Sequence, residues 1–319
     1  MTRLSRWVAI ATLAGLLAAL WIIGRVGLAQ VAGSVARIGV GGFLLFLISH
    51  GAVLWLLGIA WAWSAPERLS PVRLFAWGRT VREAANELLP FSQLGGLVLG
   101  LRVVLAGGLP PVPVYAATVI DSVTEIASQI FYVLLGLAVV VLLLGHAPGE
   151  GIVGAAWAGV ALLTALTGAF VALQRPALRL AAKGAARFVP QAAERFGAVE
   201  AELARFNRRP AALLPSFLAN LAAWLVSAAS SWLALWLLGA RIPIWSAVAM
   251  EAMISVVRSG AFLIPGALGA QELGYAALAP LVGLPTEAAL ALSLLKRARD
   301  VVLGVPVLLI WQASEARRR

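Results

Sequence analysis

Residues 79–96, RTVREAANELLPFSQLGG, place Arg79, Arg82, Glu83, Asn86, Glu87, Ser92 and Gln93 between apolar runs at 74–77 and 97–105. Pro90 and the Gly95-Gly96 pair break the same stretch. The surrounding chain is 61% hydrophobic and only 12% charged, with mean hydropathy +0.93. A soluble domain carries about 25% charged residues, so the chain reads as an all-α integral membrane protein. Charges at membrane depth are costly and face a cavity or a partner. Broken backbone is tolerated there only where it is buried in protein or lines water. The expectation is that 79–96 forms part of a functional site rather than a loop.

No large soluble domain fits. The longest polar region is the basic segment 175–209, where Arg179, Lys183 and Arg187 recur every four residues and share one face of a surface helix. The net charge of +11 follows from cytoplasmic loops rich in Lys and Arg, which also meet anionic headgroups. No recognition motif accompanies it, so nucleic acid is not an expected partner. The absence of cysteine excludes disulfides, thiolate catalysis and Cys-based metal sites. The chain has no P-loop and no GxSxG, and no His/Asp/Glu cluster with metal-ligand spacing. His50 stands alone on an apolar helix and reads as a packed core histidine; His146 reads as part of a turn. No enzyme chemistry, cofactor or metal is expected.

Arg3 and Arg6 precede an apolar run of about 18 residues, long for a cleaved leader. It reads as an uncleaved signal anchor, 7–24, starting in the cytoplasm. Further full spans are expected at 39–63, 113–144, 151–173, 211–238 and 286–311. Trp55, Trp61 and Trp63 gather at one end of 39–63 like an interfacial belt. Two segments are broken. Pro90, Gly95 and Gly96 divide 74–105 into arms shorter than the roughly 20 residues a span needs. Pro265, Gly266 and Gly269 interrupt 242–282. The result is about six full spans plus two re-entrant helical hairpins, with both termini cytoplasmic.

The two breaks resemble each other. Leu88-Leu89-Pro90 then Leu94-Gly95-Gly96 parallels Leu263-Ile264-Pro265 then Leu268-Gly269-Ala270. Arg82 and Arg258 precede the prolines by about two turns. A charged helix follows each break, with Asp121 and Glu125 after the first and Lys296 to Asp300 after the second. Residues 1–145 and 146–319 thus read as pseudo-repeats of opposite orientation. Paired interrupted segments of this kind point to a transporter site near the bilayer midplane.

The expected cavity is lined by Arg82, Glu83, Glu87, Asp121, Glu125, Arg258, Glu272, Lys296, Arg299 and Asp300. Asp121 and Glu125 share a helix face. They serve either as a proton-responsive, substrate-facing pair or as ion-pair partners of Arg82 or Arg102. Lys296 and Asp300 are placed to pair along their helix, which leaves Arg297 and Arg299 pointing elsewhere, at least one of these residues facing a lipid headgroup or a carboxylate of the other half. Glu272 is placed to cap the helix that follows the second break.

At LLPFSQLGG, PGALGAQE and the arginine-bearing last helix, the chain resembles the membrane region of lysylphosphatidylglycerol synthases, a family viewed as flippase-like. Through VREAANELLPFSQLGGLVLG it is similar to the hopanoid-biosynthesis-associated membrane proteins known as HpnL. Synthase-type members add a soluble aminoacyl-transferase domain. This sequence carries none after its last helix, so aminoacylation is not expected. The broad family commonly shows Pro-Gly-Gly-x-Gly-x-x-Glu; here Ala267 stands at the second glycine. The resemblance implies lipid transport at a bacterial inner membrane, with a hopanoid as cargo. The residues themselves imply only an amphipathic substrate. Two rival classes remain open: a scaffold that binds lipid-biosynthetic enzymes through 175–209, and a membrane-embedded lipid-modifying enzyme.

Overall fold

The computed structural model describes residues 28–65, 71–89, 92–144, 210–261 and 267–317. The expected spans at 7–24 and 151–173, the basic segment 175–209, and Pro90, His146, Pro265 and Gly266 lie outside the described residues.

The described residues form an all-helical architecture, about 90% helix and without strands. The helices are α1 (Leu28–Trp63), α2 (Val72–Leu88), α3 (Ser92–Ala106), α4 (Pro111–Leu144), α5 (Leu214–Leu237), α6 (Ile244–Gly260), α7 (Ala270–Leu278) and α8 (Thr286–Arg317). Short 3-10 turns at Pro210–Leu213 and Pro280–Val282 join them. Among the described residues, three segments are long and apolar enough to cross a membrane: Ala32–Trp63, Pro111–Leu142 and Ala211–Leu237. Val40, Ile48, Leu142 and Ile310 are among the large apolar side chains left on the outside. α8 is as long, 32 residues, but carries Lys296, Arg297, Arg299 and Asp300 in its middle. α2 and α3, at 17 and 15 residues, rise only about 25 and 22 Å, less than the roughly 30 Å hydrocarbon core.

Local chemistry sets the boundaries. Gly39 adopts φ 68°, ψ 167° and kinks α1, so the straight apolar part begins where the sequence places the span. α2 stops at Leu89, which is extended at φ −99°, ψ 144°. A residue before proline is pushed into that region by the ring that follows. At the second break, the Gly269 N–H donates to Glu272 Oε2 at 2.8 Å, closing the start of α7. Glu272 therefore caps its helix, as its position leads one to expect.

Packing relies on small residues, as it does where helices meet in lipid. α1 and α5 run antiparallel: Gly42 lies against Leu237, Ser49 Oγ is 2.6 Å from Ser230 Oγ, and Ser64 Oγ is 2.8 Å from Ser216 Oγ. α2 and α3 form an antiparallel hairpin, with Gly78 against Gly100 and Gly107 against Leu74. α2 also sits so close to α1 that a Cβ on Gly58 would fall 2.4 Å from Ala76 Cα. Trp61 departs from the expected interfacial belt. It is fully buried, donates Nε1–H to Thr118 Oγ1 at 3.2 Å, and packs edge-on against Phe75. Trp55 and Trp63 remain exposed.

The pattern of neighbours is symmetric. Besides α1 on α5, the packed pairs are α2–α3 and α6–α7, α1–α2 and α5–α6, α2–α8 and α6–α4, α1–α8 and α5–α4, α3–α4 and α7–α8, and α1–α4 and α5–α8. Exchanging α1–α4 for α5–α8 maps every one of these helix pairs onto another of them.

A charged cavity between the two groups of helices

Charged side chains converge on the space between α2, α4, α6 and α8. On one side Arg79, 1% exposed, meets three carboxylates. Its Nε lies 2.9 Å from Glu83 Oε1, and its Nη1–H groups donate to Asp121 Oδ2 at 3.1 Å and Glu125 Oε2 at 3.0 Å. Its Nη2 also pairs with Glu125 Oε1. Arg82 reaches the same carboxylates, at 3.3 Å to Asp121 Oδ2 and 2.9 Å to Glu125 Oε2. Two guanidinium forks gripping two carboxylates give directional, charge-assisted bonds. They hold the α2–α3 hairpin against α4. Behind them, Asn220 donates to Thr124 Oγ1 at 3.3 Å and Thr124 shares a 2.8 Å bond with Ser216.

The other side repeats the arrangement with its signs exchanged. Glu251 on α6 pairs with Lys296 on α8, and its second oxygen accepts the Tyr275 hydroxyl at 2.6 Å. In the first group the cations sit on the hairpin and the carboxylates on the long helix. In the second, the carboxylate precedes the break and the ammonium sits on the long helix. The expected Lys296–Asp300 pair does not form. Lys296 turns to Glu251, and Asp300 Oδ1 accepts from Arg299 Nε and Nη2 at 2.9 and 2.7 Å. Glu251 provides two-point satisfaction with Tyr275, whereas Asp300 has a planar fork beside it. Arg297 pairs with Glu272 at 3.3 Å. Arg102 is not a partner of Asp121 or Glu125; it bonds Glu315 near the end of α8. Arg258 links the groups: it bonds Glu87 on α2 and donates to Gln271 Oε1 at 2.7 Å.

These side chains enclose a cavity of about 440 Å³. Of the expected lining, Arg82, Glu83, Glu87, Glu125, Arg258, Lys296 and Arg299 face it. Asp121 does not; it lies fully buried behind the two arginines. Glu272 is also outside the cavity wall, held by its cap, Ser293 and Arg297. Asp300 instead lines a smaller adjoining pocket. Sequence reasoning left out Arg79, Glu251 and His50, all of which line the cavity. Arg79 lies one turn before Arg82 and Glu83, on the same face, and Glu251 lies two turns before Arg258, so helical spacing signals both. His50 offers no such signal. It is half-buried rather than packed in the core, and its Nδ1 has no partner in the protein.

A family model for the lysylphosphatidylglycerol synthase TM region matches residues 7–307. The chain belongs to that family. No curated protein and no solved structure matches it. Family membership gives the protein a membrane-embedded, lipid-related role. Ala267 is the one non-glycine with positive φ among the described residues, at 49°, and it lines the cavity. Its Cβ is strained in the left-handed region, which glycine enters freely.

Proposed function

We propose that this protein moves an amphipathic membrane lipid across the bilayer, its polar head passing through the cavity while its tails stay in lipid. The cavity carries this reading. Pockets that hold small ligands run from about 300 to 1,000 Å³, so 440 Å³ suits a headgroup and not a whole lipid. Its walls carry both signs, with Arg79, Arg82, Arg258, Lys296 and Arg299 against Glu83, Glu87, Glu125 and Glu251. Such a near-balanced lining favours a hydroxyl-bearing head without net charge over a strongly anionic one. Similarity of 81–100 to the hopanoid-associated proteins supports a hopanoid as cargo and a bacterial inner membrane as the site of action.

The proposed architecture is six full spans with two re-entrant hairpins, both termini cytoplasmic. The short rise of α2 and α3 and the break before α7 support the hairpins. The symmetric neighbour pattern supports an inverted repeat of 1–145 and 146–319. Alternating access is then a rocking of one repeat against the other. The protein acts as a transporter without chemistry of its own and without a cofactor.

Reconstitution of the full chain into liposomes with a fluorescent hopanoid tests this. Faster loss of the outer-leaflet-quenchable signal than in empty liposomes is the expected result. An unchanged rate overturns the proposal. In cells, deleting the protein is expected to shift hopanoid between inner and outer membrane. Loss of a lipid product with unchanged distribution indicates an enzyme, and loss of enzyme co-purification with unchanged lipids indicates a scaffold.

A further inference from the structure

Beside the main cavity lies a pocket of about 60 Å³ between α1, α2 and α8. Its polar wall is His50, Thr80, Glu83, Glu87, Arg299 and Asp300. Part of the donor capacity of this wall is already committed. Thr80 Oγ1 donates to Ala76 O at 2.8 Å, and Arg299 aims both Nε and Nη2 at one oxygen, Asp300 Oδ1. Glu83 Oε1 faces Arg79 at 2.9 Å. Three groups are left over. Asp300 Oδ2, Glu87 Oε2 and His50 Nδ1 are buried without a hydrogen-bond partner in the protein, and Asp300 is only 9% exposed.

Each unmet buried polar atom carries an uncompensated desolvation cost, larger when the group is charged. Three around one small space point to a donor that belongs there. No His/Asp/Glu group among the described residues has the geometry of a metal site. A proton supplies such a donor, because it turns the carboxylate or imidazole that takes it up into a donor toward a neighbour. The pocket also has room for a bridging water, which needs about 10–15 Å³ of such volume.

We propose that this pocket is a proton-binding site, with Asp300 taking up the proton in the space it lines together with His50 and Glu87, and that its occupancy couples headgroup movement to a proton gradient. The coupling rests on the lipid-moving reading above; the proton site does not. The groups that face His50 are Glu83 and Glu87 from α2, Lys296, Arg299 and Asp300 from α8, and Arg258 from α6. α5 carries no charged residue, and the carboxylates of α4 are turned to Arg79 and Arg82. The link to transport is physical. His50, Glu87 and Arg299 line both the pocket and the main cavity. Glu87 also holds Arg258 across the two groups of helices. A proton on Asp300 releases Arg299 toward the headgroup space; its departure draws Arg299 back.

Protonation is read first without any lipid cargo. The full chain in liposomes of phosphatidylethanolamine and phosphatidylglycerol is acidified stepwise under difference infrared spectroscopy. Wild type is expected to show a carboxylic-acid band that Asp300→Asn removes and His50→Gln shifts in pH. If Asp300→Asn folds poorly, His50→Gln carries the comparison alone. A titration that neither variant alters overturns the site. Fluorescent hopanoid movement is then followed with an imposed gradient of about one pH unit, a drive of about tenfold. Wild type is expected to respond several-fold and His50→Gln not at all. Movement indifferent to the gradient in wild type overturns the coupling and leaves the lipid-moving reading intact. No movement under any gradient, with the titration altered as expected, sinks the lipid-moving reading and upholds the proton site.

Discussion

Removing the ammonium of Lys296 tests whether the Glu251–Lys296 pair acts as a unit. Both side chains are 8% exposed. In Lys296→Met, Glu251 keeps only neutral donors, the Tyr275 hydroxyl at 2.6 Å and the hydroxyl of Ser231. Breaking a buried pair by deleting one partner costs about 3–5 kcal/mol. The retained bond to Tyr275 is worth about 1.5–3 kcal/mol to a charged acceptor, which places the loss near the lower end, about 3 kcal/mol. Glu251→Gln is destabilising for the converse reason, a buried ammonium without a counter-charge. The double variant Glu251→Gln/Lys296→Met leaves no charge stranded and keeps a hydrogen bond to Tyr275, so its loss is about 1 kcal/mol or less. Unfolding in mixed micelles titrated with dodecyl sulfate measures all three. The reasoning requires a favourable coupling of at least about 2 kcal/mol between the two substitutions. A double variant whose loss equals the sum of the single losses refutes it.

Three further outcomes follow from the packing. Gly58→Ala forces α1 from α2 at Ala76 and is expected to cost about 1–3 kcal/mol; Gly51→Ala on the same helix, with nothing within 4 Å, serves as the unaffected control in thermal unfolding. Ala267→Gly relieves a left-handed backbone at φ 49°, worth about 1–2 kcal/mol, against an unfolded-state entropy cost of about 0.4–1 kcal/mol; an unchanged or raised melting temperature is expected, and a clear drop counts against the strain. Glu87→Arg and Arg258→Glu each place like charges together across the α2–α6 bridge, so each is expected to slow hopanoid movement in liposomes, with the double exchange restoring it. A double exchange no better than either single removes the bridge from the mechanism.

The helical spacing of charges made much of the cavity wall legible. Glu83 and Glu87 lie one turn apart, one turn beyond Arg79, and Asp121 and Glu125 are spaced likewise, so each set had to share a face. Pro90 foretold the extended Leu89, because a proline acts on the residue beside it in sequence. Glu272 as a cap was legible for the same reason: its partner is three residues away. The reading went wrong where the partner lay on another helix. Lys296 and Asp300 are well placed to pair along α8, yet Lys296 answers Glu251, and Asp300 answers its own neighbour. Trp61 looked interfacial by composition and is core, because Thr118 and Phe75 meet it from α4 and α2.

By itself, then, the sequence determined the solvent, the helices and the faces that carry charge, since hydropathy and a period of 3.6 residues act locally along the chain. Only the tertiary structure decided which charge meets which. It turned Asp121 and Glu272 away from the cavity and brought His50 to its edge. It also left Asp300 Oδ2 and Glu87 Oε2 without donors in a common pocket. Those outcomes depend on how closely Gly58, Gly78 and Gly100 let the helices approach, and on the free energy of stranding a charge in a low-dielectric interior. Both are properties of pairs of helices and cannot be read from either helix alone.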